Sequence, residues 1–140
     1  MLTVETRNVD GRVTAVGSAG PYTLVVDRPQ AAGGGGLGFN GGQLLYLAIA
    51  GCVSNDLFRE AQSRGIELTS VRVVVEGDFT GDPQVSTPVD YTVELAGDAS
   101  VDVLTALVHD VDGIAEIPNS LRAGTPVRLG GVTVNGRPTA

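Results

Sequence analysis

The sequence predicts an α+β fold with antiparallel pairing, and three observations carry that prediction. Apolar and polar residues alternate with a period of two in the first 27 residues, again around Val71 and Val89, and near the C-terminus. Two helical segments divide these strand groups unevenly, so strands and helices do not alternate one for one as a parallel sheet requires. The first helical segment is apolar on every side over residues 44–53. Such a helix must be surrounded by protein.

Leu2, Val4 and Thr6 alternate with Thr3, Glu5 and Arg7; Asp10-Gly11 supplies a tight turn, and Val13 and Ala15 resume the pattern. Tyr22, Leu24 and Val26 add a third strand. Pro29 and the glycines of residues 33–42 then interrupt regular structure. That loop is expected either to move and admit a substrate or to let another backbone pack closely. Helix is predicted from Gln43 to about Arg64, with Gly65 as its stop. Its second half is amphipathic, Leu57, Phe58 and Ala61 opposing Asp56, Arg59 and Glu60. Val71, Val73 and Val75 form one strand, and Val89, Tyr91, Val93 and Leu95 another. Asp98 or Ser100 caps a second helix whose buried stripe is Val101, Leu104, Leu107, Val108 and Val111. Pro118 ends it or opens a short turn. Val127, Leu129, Val132 and Val134 read as one last strand, bulged at Gly130-Gly131. The chain is thus a single domain: strands in 1–27, a glycine-rich loop in 28–42, a central helix in 43–65, and strand-strand-helix-strand in 66–140.

With 140 residues, 42% hydrophobic and 18% charged, the chain is long enough for one packed core. Sixteen acids against nine bases give a net charge of −7, which argues against nucleic acid or an anionic membrane as partner. All nine bases are arginine, so no lysine Schiff base and no Walker-type phosphate loop can form. One cysteine and one histidine exclude an internal disulfide and argue against a zinc or iron site; no metal and no cofactor is expected. The N-terminus lacks the apolar core of a signal peptide, and the apolar run 44–53 is too short to span a bilayer. The expectation is a soluble cytoplasmic protein.

Gly36, Gly38 and Gly41 spell G-x-G-x-x-G, but no strand ends close enough upstream for a dinucleotide turn. His109 shares a helix face with Asp102, Thr105 and Asp112, opposite the apolar stripe, and reads as exposed. The serines lack a nucleophile-elbow context, and residues 78–82 read as a turn. Cys52 lies mid-helix among Leu45, Ala48 and Ile49, with Asn55, Asp56 and Arg59 beyond it. Apolar neighbours and the Asp56 charge favour the neutral thiol, so spacing alone makes it a packing residue. A cation brought from elsewhere, or Arg59 folding back, makes it a nucleophile.

Three stretches bear on that choice. Residues 39–52, with Phe39-Asn40-Gly41-Gly42-Gln43-Leu44-Leu45 and Ala50-Gly51-Cys52, resemble the helix carrying the first cysteine of the OsmC/Ohr family. Gly65-Ile66-Glu67-Leu68 and the strand after it are similar to that family's strand, and residues 117–127, beginning Ile117-Pro118-Asn119-Ser120-Leu121, to its C-terminal motif. The resemblance implies antiparallel sheets packed on a long central helix, in an intertwined homodimer. It implies reduction of organic hydroperoxides in oxidative-stress defence, with Cys52 as the attacking thiol and an external thiol as reductant. The family's second cysteine is replaced within Ala115, Glu116 and Ile117, and its glutamate by Gly42. Val9 and Asp10 stand where its arginine is expected, leaving Arg7, Arg12 and Arg59 as candidate activating cations. The alternative is a non-catalytic dimeric member that binds a small molecule or serves a structural role.

Overall fold

A computed structural model describes residues 1–139 and is α+β, with antiparallel pairing throughout its named strands. Strands β1 (Glu5–Asn8), β2 (Ala15–Ala19) and β3 (Tyr22–Val26) form a meander, in register Thr6↔Gly17↔Leu24 and Arg7↔Val16↔Val25. Because paired residues share a face, Thr6, Gly17 and Leu24 lie on one side and Arg7, Val16 and Val25 on the other.

The glycine-rich loop is a built structure. A 3-10 turn at Gln30–Ala32 folds it back, and the Gly36 N–H donates to the Arg28 carbonyl at 2.9 Å. A Cβ at Gly34 would collide with that same carbonyl, and one at Gly38 with the Val25 carbonyl. Of the two roles expected for these glycines, close backbone approach is the one the structure displays. Asp27 closes the loop: its Oδ1 accepts from the N–H groups of Arg28 (2.7 Å) and Gly35 (3.1 Å), its Oδ2 from the Thr14 hydroxyl (2.8 Å) and the Leu37 N–H (3.2 Å).

Helix α1 spans Gly41–Ser63, starting two residues before its expected start. Asn40 and Gln43 form a reciprocal cap: the Asn40 side chain accepts from the Gln43 N–H at 2.9 Å and the Gln43 side chain from the Asn40 N–H at 3.0 Å. Gly65, at φ 67°, follows its end in the left-handed conformation that a Cβ disfavours. Strands β4 (Leu68–Glu76) and β7 (Asp90–Gly97) make an antiparallel ribbon. Between them, the segment expected as a plain turn carries a miniature hairpin, β5 (Phe79–Thr80) and β6 (Val85–Ser86).

Ser100 caps α2 (Val101–Ile114), while Asp98 instead accepts from the Glu67 N–H at 2.8 Å and ties the start of β4 to the end of β7. Pro118 neither ends α2 nor merely turns the chain: it sits in the first turn of a third helix, α3 (Glu116–Arg122), where its missing N–H has no intrahelical partner to lose. The single last strand expected from Val127 to Val134 is corrected. Val127 (95% exposed) and Leu129 (84%) pack on nothing, and the chain pairs only as a hairpin of β8 (Val132–Val134) and β9 (Arg137–Thr139). A residue with no surface to cover gives alternation without a strand.

The core joins the second half of α1 to α2 over one face of the β4–β7 ribbon. Val53, Leu57 and Ala61 meet Leu107, Val111 and Ala115, with Val71, Val73, Val93 and Leu95 closing the layer beneath. Leu104 and Val108 are only half-buried and Val101 lies exposed, so the expected α2 stripe is narrower than its sequence pattern. No helix among the described residues is long and apolar enough to cross a membrane.

Candidate functional site around Cys52

Cys52 sits at the middle of α1 and is half-buried, its side chain packed at the edge of the core. It lines neither of two cavities that flank α1, but lies one helical turn beyond a residue of each. It follows Ala48 by four residues, and Ala48 and Leu44 floor an apolar cavity of about 640 Å³ roofed by Thr6, Gly17, Tyr22 and Leu24 of the first sheet. It follows Ile49 by three, and Ile49 and Leu45 wall a second cavity of about 410 Å³ closed by Val89, Tyr91, Pro118, Leu121 and Arg122. By helix spacing Cys52 falls angularly between the two faces that line them.

The candidate cations are distributed as follows. Arg59 Nη1 lies 2.9 Å from Asp56 Oδ1 and its Nε 3.4 Å from Glu60 Oε1, so its charge is taken up by two acids on its own helix. Arg7 is exposed on the face of the first sheet turned away from α1. Arg12 is exposed in the turn between β1 and β2, its N–H bonded to the Val9 carbonyl. Within one chain the structure therefore brings none of the three to the sulfur. His109 is exposed on α2. Among the described residues no group of histidine, cysteine and carboxylate side chains could hold a metal ion.

Asp56 departs from a simple ion pair. It is 6% exposed, its Oδ1 meets Arg59, and its Oδ2 is buried with no hydrogen-bond partner among the described residues. Such an oxygen is rare in a native fold.

A polar cluster that no sequence motif announces closes the second cavity. The Tyr91 hydroxyl donates to Asp112 Oδ1; Arg122 donates to that same oxygen at 2.6 Å, to the Asp112 carbonyl at 3.0 Å and to Asn119 Oδ1 at 3.1 Å. Burial, reinforced by the Asp112 carboxylate, pushes the Tyr91 phenol up to about 12. The bond from Tyr91, then that from Arg122, holds Asp112 below the ordinary aspartate value against the opposing effect of burial. Residues 91, 112 and 122 come from β7, α2 and α3, so only the folded chain unites them. The Asn40 cap went unread, although its N-x-x-Q pattern ahead of an apolar run is a signal that could have found it.

A family model described as OsmC-like protein matches residues 33–130, which include α1, Cys52 and the Ile117–Leu121 stretch. No curated protein matches the chain by sequence. Among solved structures, an OsmC-like protein from Mycoplasma pneumoniae superposes with a TM-score of 0.76 at 14% identity, covering 89% of each chain. An organic hydroperoxide resistance protein from Legionella pneumophila gives a TM-score of 0.63 at 19% identity, covering 87% of this chain and 89% of that one. Another, from Elizabethkingia anophelis, gives 0.60 at 15% identity, covering 89% of each. At these identities the likeness is one of fold.

Proposed function

Because the chain belongs to the OsmC-like protein family, we propose that it is a homodimeric cysteine peroxidase that reduces organic hydroperoxides in oxidative-stress defence. The observation that carries this reading is the position of its one cysteine, half-buried on α1 one turn beyond the residues that line two cavities. The larger cavity seats a second copy of the chain, and the smaller one, lined by Leu45, Ile49 and Leu121, admits the apolar body of the substrate.

The Cys52 sulfur attacks the outer oxygen of the hydroperoxide. An S–O bond forms, the O–O bond breaks, and the alcohol departs with the thiol proton. Sulfur is oxidised by two electrons and the peroxide is reduced by the same two. With no second cysteine in the sequence, an external monothiol attacks the sulfenic acid, releasing water and leaving a mixed disulfide. A second monothiol then restores Cys52 and leaves as the symmetrical disulfide. The cation that favours the thiolate comes from the second copy, whose Arg7 projects from the sheet face turned away from its own helix and whose Arg12 stands in the adjoining turn.

Cumene hydroperoxide consumption with a monothiol reductant tests the reading. The wild type is expected to turn over and Cys52→Ser to lose all enzyme-dependent consumption. Consumption no faster than the free monothiol alone, or undiminished in Cys52→Ser, overturns it. The engagement of Arg59 by Asp56 and Glu60 favours one competing reading, a binding protein with an idle thiol. Under that reading an apolar ligand raises Tm equally in wild type and Cys52→Ser, and neither consumes peroxide.

A further inference from the structure

Resting on the peroxidase reading above, we propose that Asp56 is the residue that guards the oxidised state of Cys52: its unpartnered carboxylate oxygen accepts the hydrogen bond of the Cys52 sulfenic acid and keeps that acid protonated. Asp56 follows Cys52 by four residues on α1, and helical side chains lean over the turn before their own Cα, here the turn that carries Cys52. The carboxylate is divided in its duties. Oδ1 is held by Arg59 at 2.9 Å on the solvent side, whereas Oδ2 is buried and has no partner among the described residues, the reduced Cys52 sulfur included. Oxidation places an oxygen one bond beyond the sulfur and gives it an O–H to donate. The unsatisfied acceptor is thus matched by a donor that exists only after the peroxide has reacted.

The chemistry of a one-cysteine cycle requires such a guard. The sulfenic acid waits for a thiol from solution, because the chain holds no second cysteine. Meanwhile a second peroxide competes. Its attacker is the sulfenate anion: a second S–O bond forms, a second O–O bond breaks, alcohol leaves, and the sulfur passes to sulfinic acid, which thiols do not reverse. A buried carboxylate beside the sulfenic acid disfavours the anion by like-charge repulsion and accepts a hydrogen bond from the neutral acid. The Arg59 side chain is 58% exposed, so its opposing charge is screened by water more than the buried face of Asp56 is. The neutral acid remains open to the external thiol, which needs the oxygen to leave as water.

Excess hydrogen peroxide forms the sulfenic acid at any catalytic rate, and the assay follows it by dimedone trapping and intact mass. Wild type is expected to hold a trappable sulfenic acid. Asp56→Ala and Asp56→Asn are expected to pass to the sulfinic acid roughly tenfold faster, the effect of a one-unit change in the acidity of the sulfenic acid. Asp56→Asn keeps the side-chain shape if Asp56→Ala does not fold. Glu60→Gln removes an acid from the same helix away from the Cys52 turn and is expected to match wild type. Equal rates in wild type and both Asp56 variants overturn the proposal, as does a wild type that reaches sulfinic acid with no trappable intermediate. Failure of the peroxidase reading shows elsewhere, in the rate with cumene hydroperoxide, which this assay does not use.

Discussion

At the residue scale, Asp27 concentrates more structural duty than any other acid in the chain. Its two oxygens take donors from the β1–β2 turn region, from its own successor and from two points of the glycine loop. Burial alone would raise its pKa. The bonds from Gly35, Thr14, Arg28 and Leu37 outweigh that and set it below the ordinary value of 3.8. A carboxyl lowered on folding contributes stability that is full above the ordinary value and is lost as pH falls through the lower folded one. Wild type is therefore expected to lose stability, and its loop amides their exchange protection, as pH drops below the usual aspartate range. Asp27→Asn is expected to be less stable by several degrees in Tm at neutral pH, and to lack that part of the acid response. Denaturant titrations across the acid range check it; parallel curves for the two proteins overturn it. The sequence made Cys52 legible as the one candidate sulfur, and also gave Asp56 as its neighbour in the next turn. It did not give the orphaned oxygen of Asp56, because whether a partner reaches a carboxylate is settled only once the chain has folded.

At the scale of the element, α1 combines a strong start with a face that its own chain leaves open. Leu47 and Phe58 stay exposed, while Ile49, Val53 and Leu57 are buried. The Asn40–Gln43 cap satisfies donors at an end where the apolar half of the helix offers little surface to the core. Asn40→Ala is expected to lower stability by about 1 kcal/mol, with the opening turn around Gly42 exchanging amide protons faster. Urea unfolding measures the first and hydrogen exchange the second; no change in either removes the cap from the account. Local chemistry explains which elements could be read in advance. α1, α2 and the paired strands β4 and β7 announce themselves through periodicity, caps and a terminal glycine. The β5–β6 hairpin, with two residues per strand, is too short to show a period. The tail fails for the opposite reason, since Val127, Leu129, Val132 and Val134 alternate yet the first two find no neighbour.

At the scale of the whole molecule, the first sheet and α1 enclose an apolar space rather than pack against each other, and Leu2, Val4, Tyr22 and Leu24 are left in contact with water. An opening of that size between apolar walls is a place for protein. A dimer is expected in sedimentation velocity. Ala48→Glu, which introduces a charge on the cavity floor where the single chain already exposes Ala48, is expected to give a folded monomer. A wild type that sediments as a monomer well above micromolar concentration overturns the dimer. One side chain gives this question an optical handle. The chain contains no tryptophan, so its ultraviolet emission comes from three phenols. Tyr91 donates its hydroxyl proton to a carboxylate, an arrangement that dims a tyrosine's glow, and Tyr46 lies stacked on Phe79. Tyr22, 77% exposed on the cavity roof, is left as the brightest and most quencher-accessible emitter, a native lamp that iodide will reach in a lone subunit and miss once a second one shuts over it.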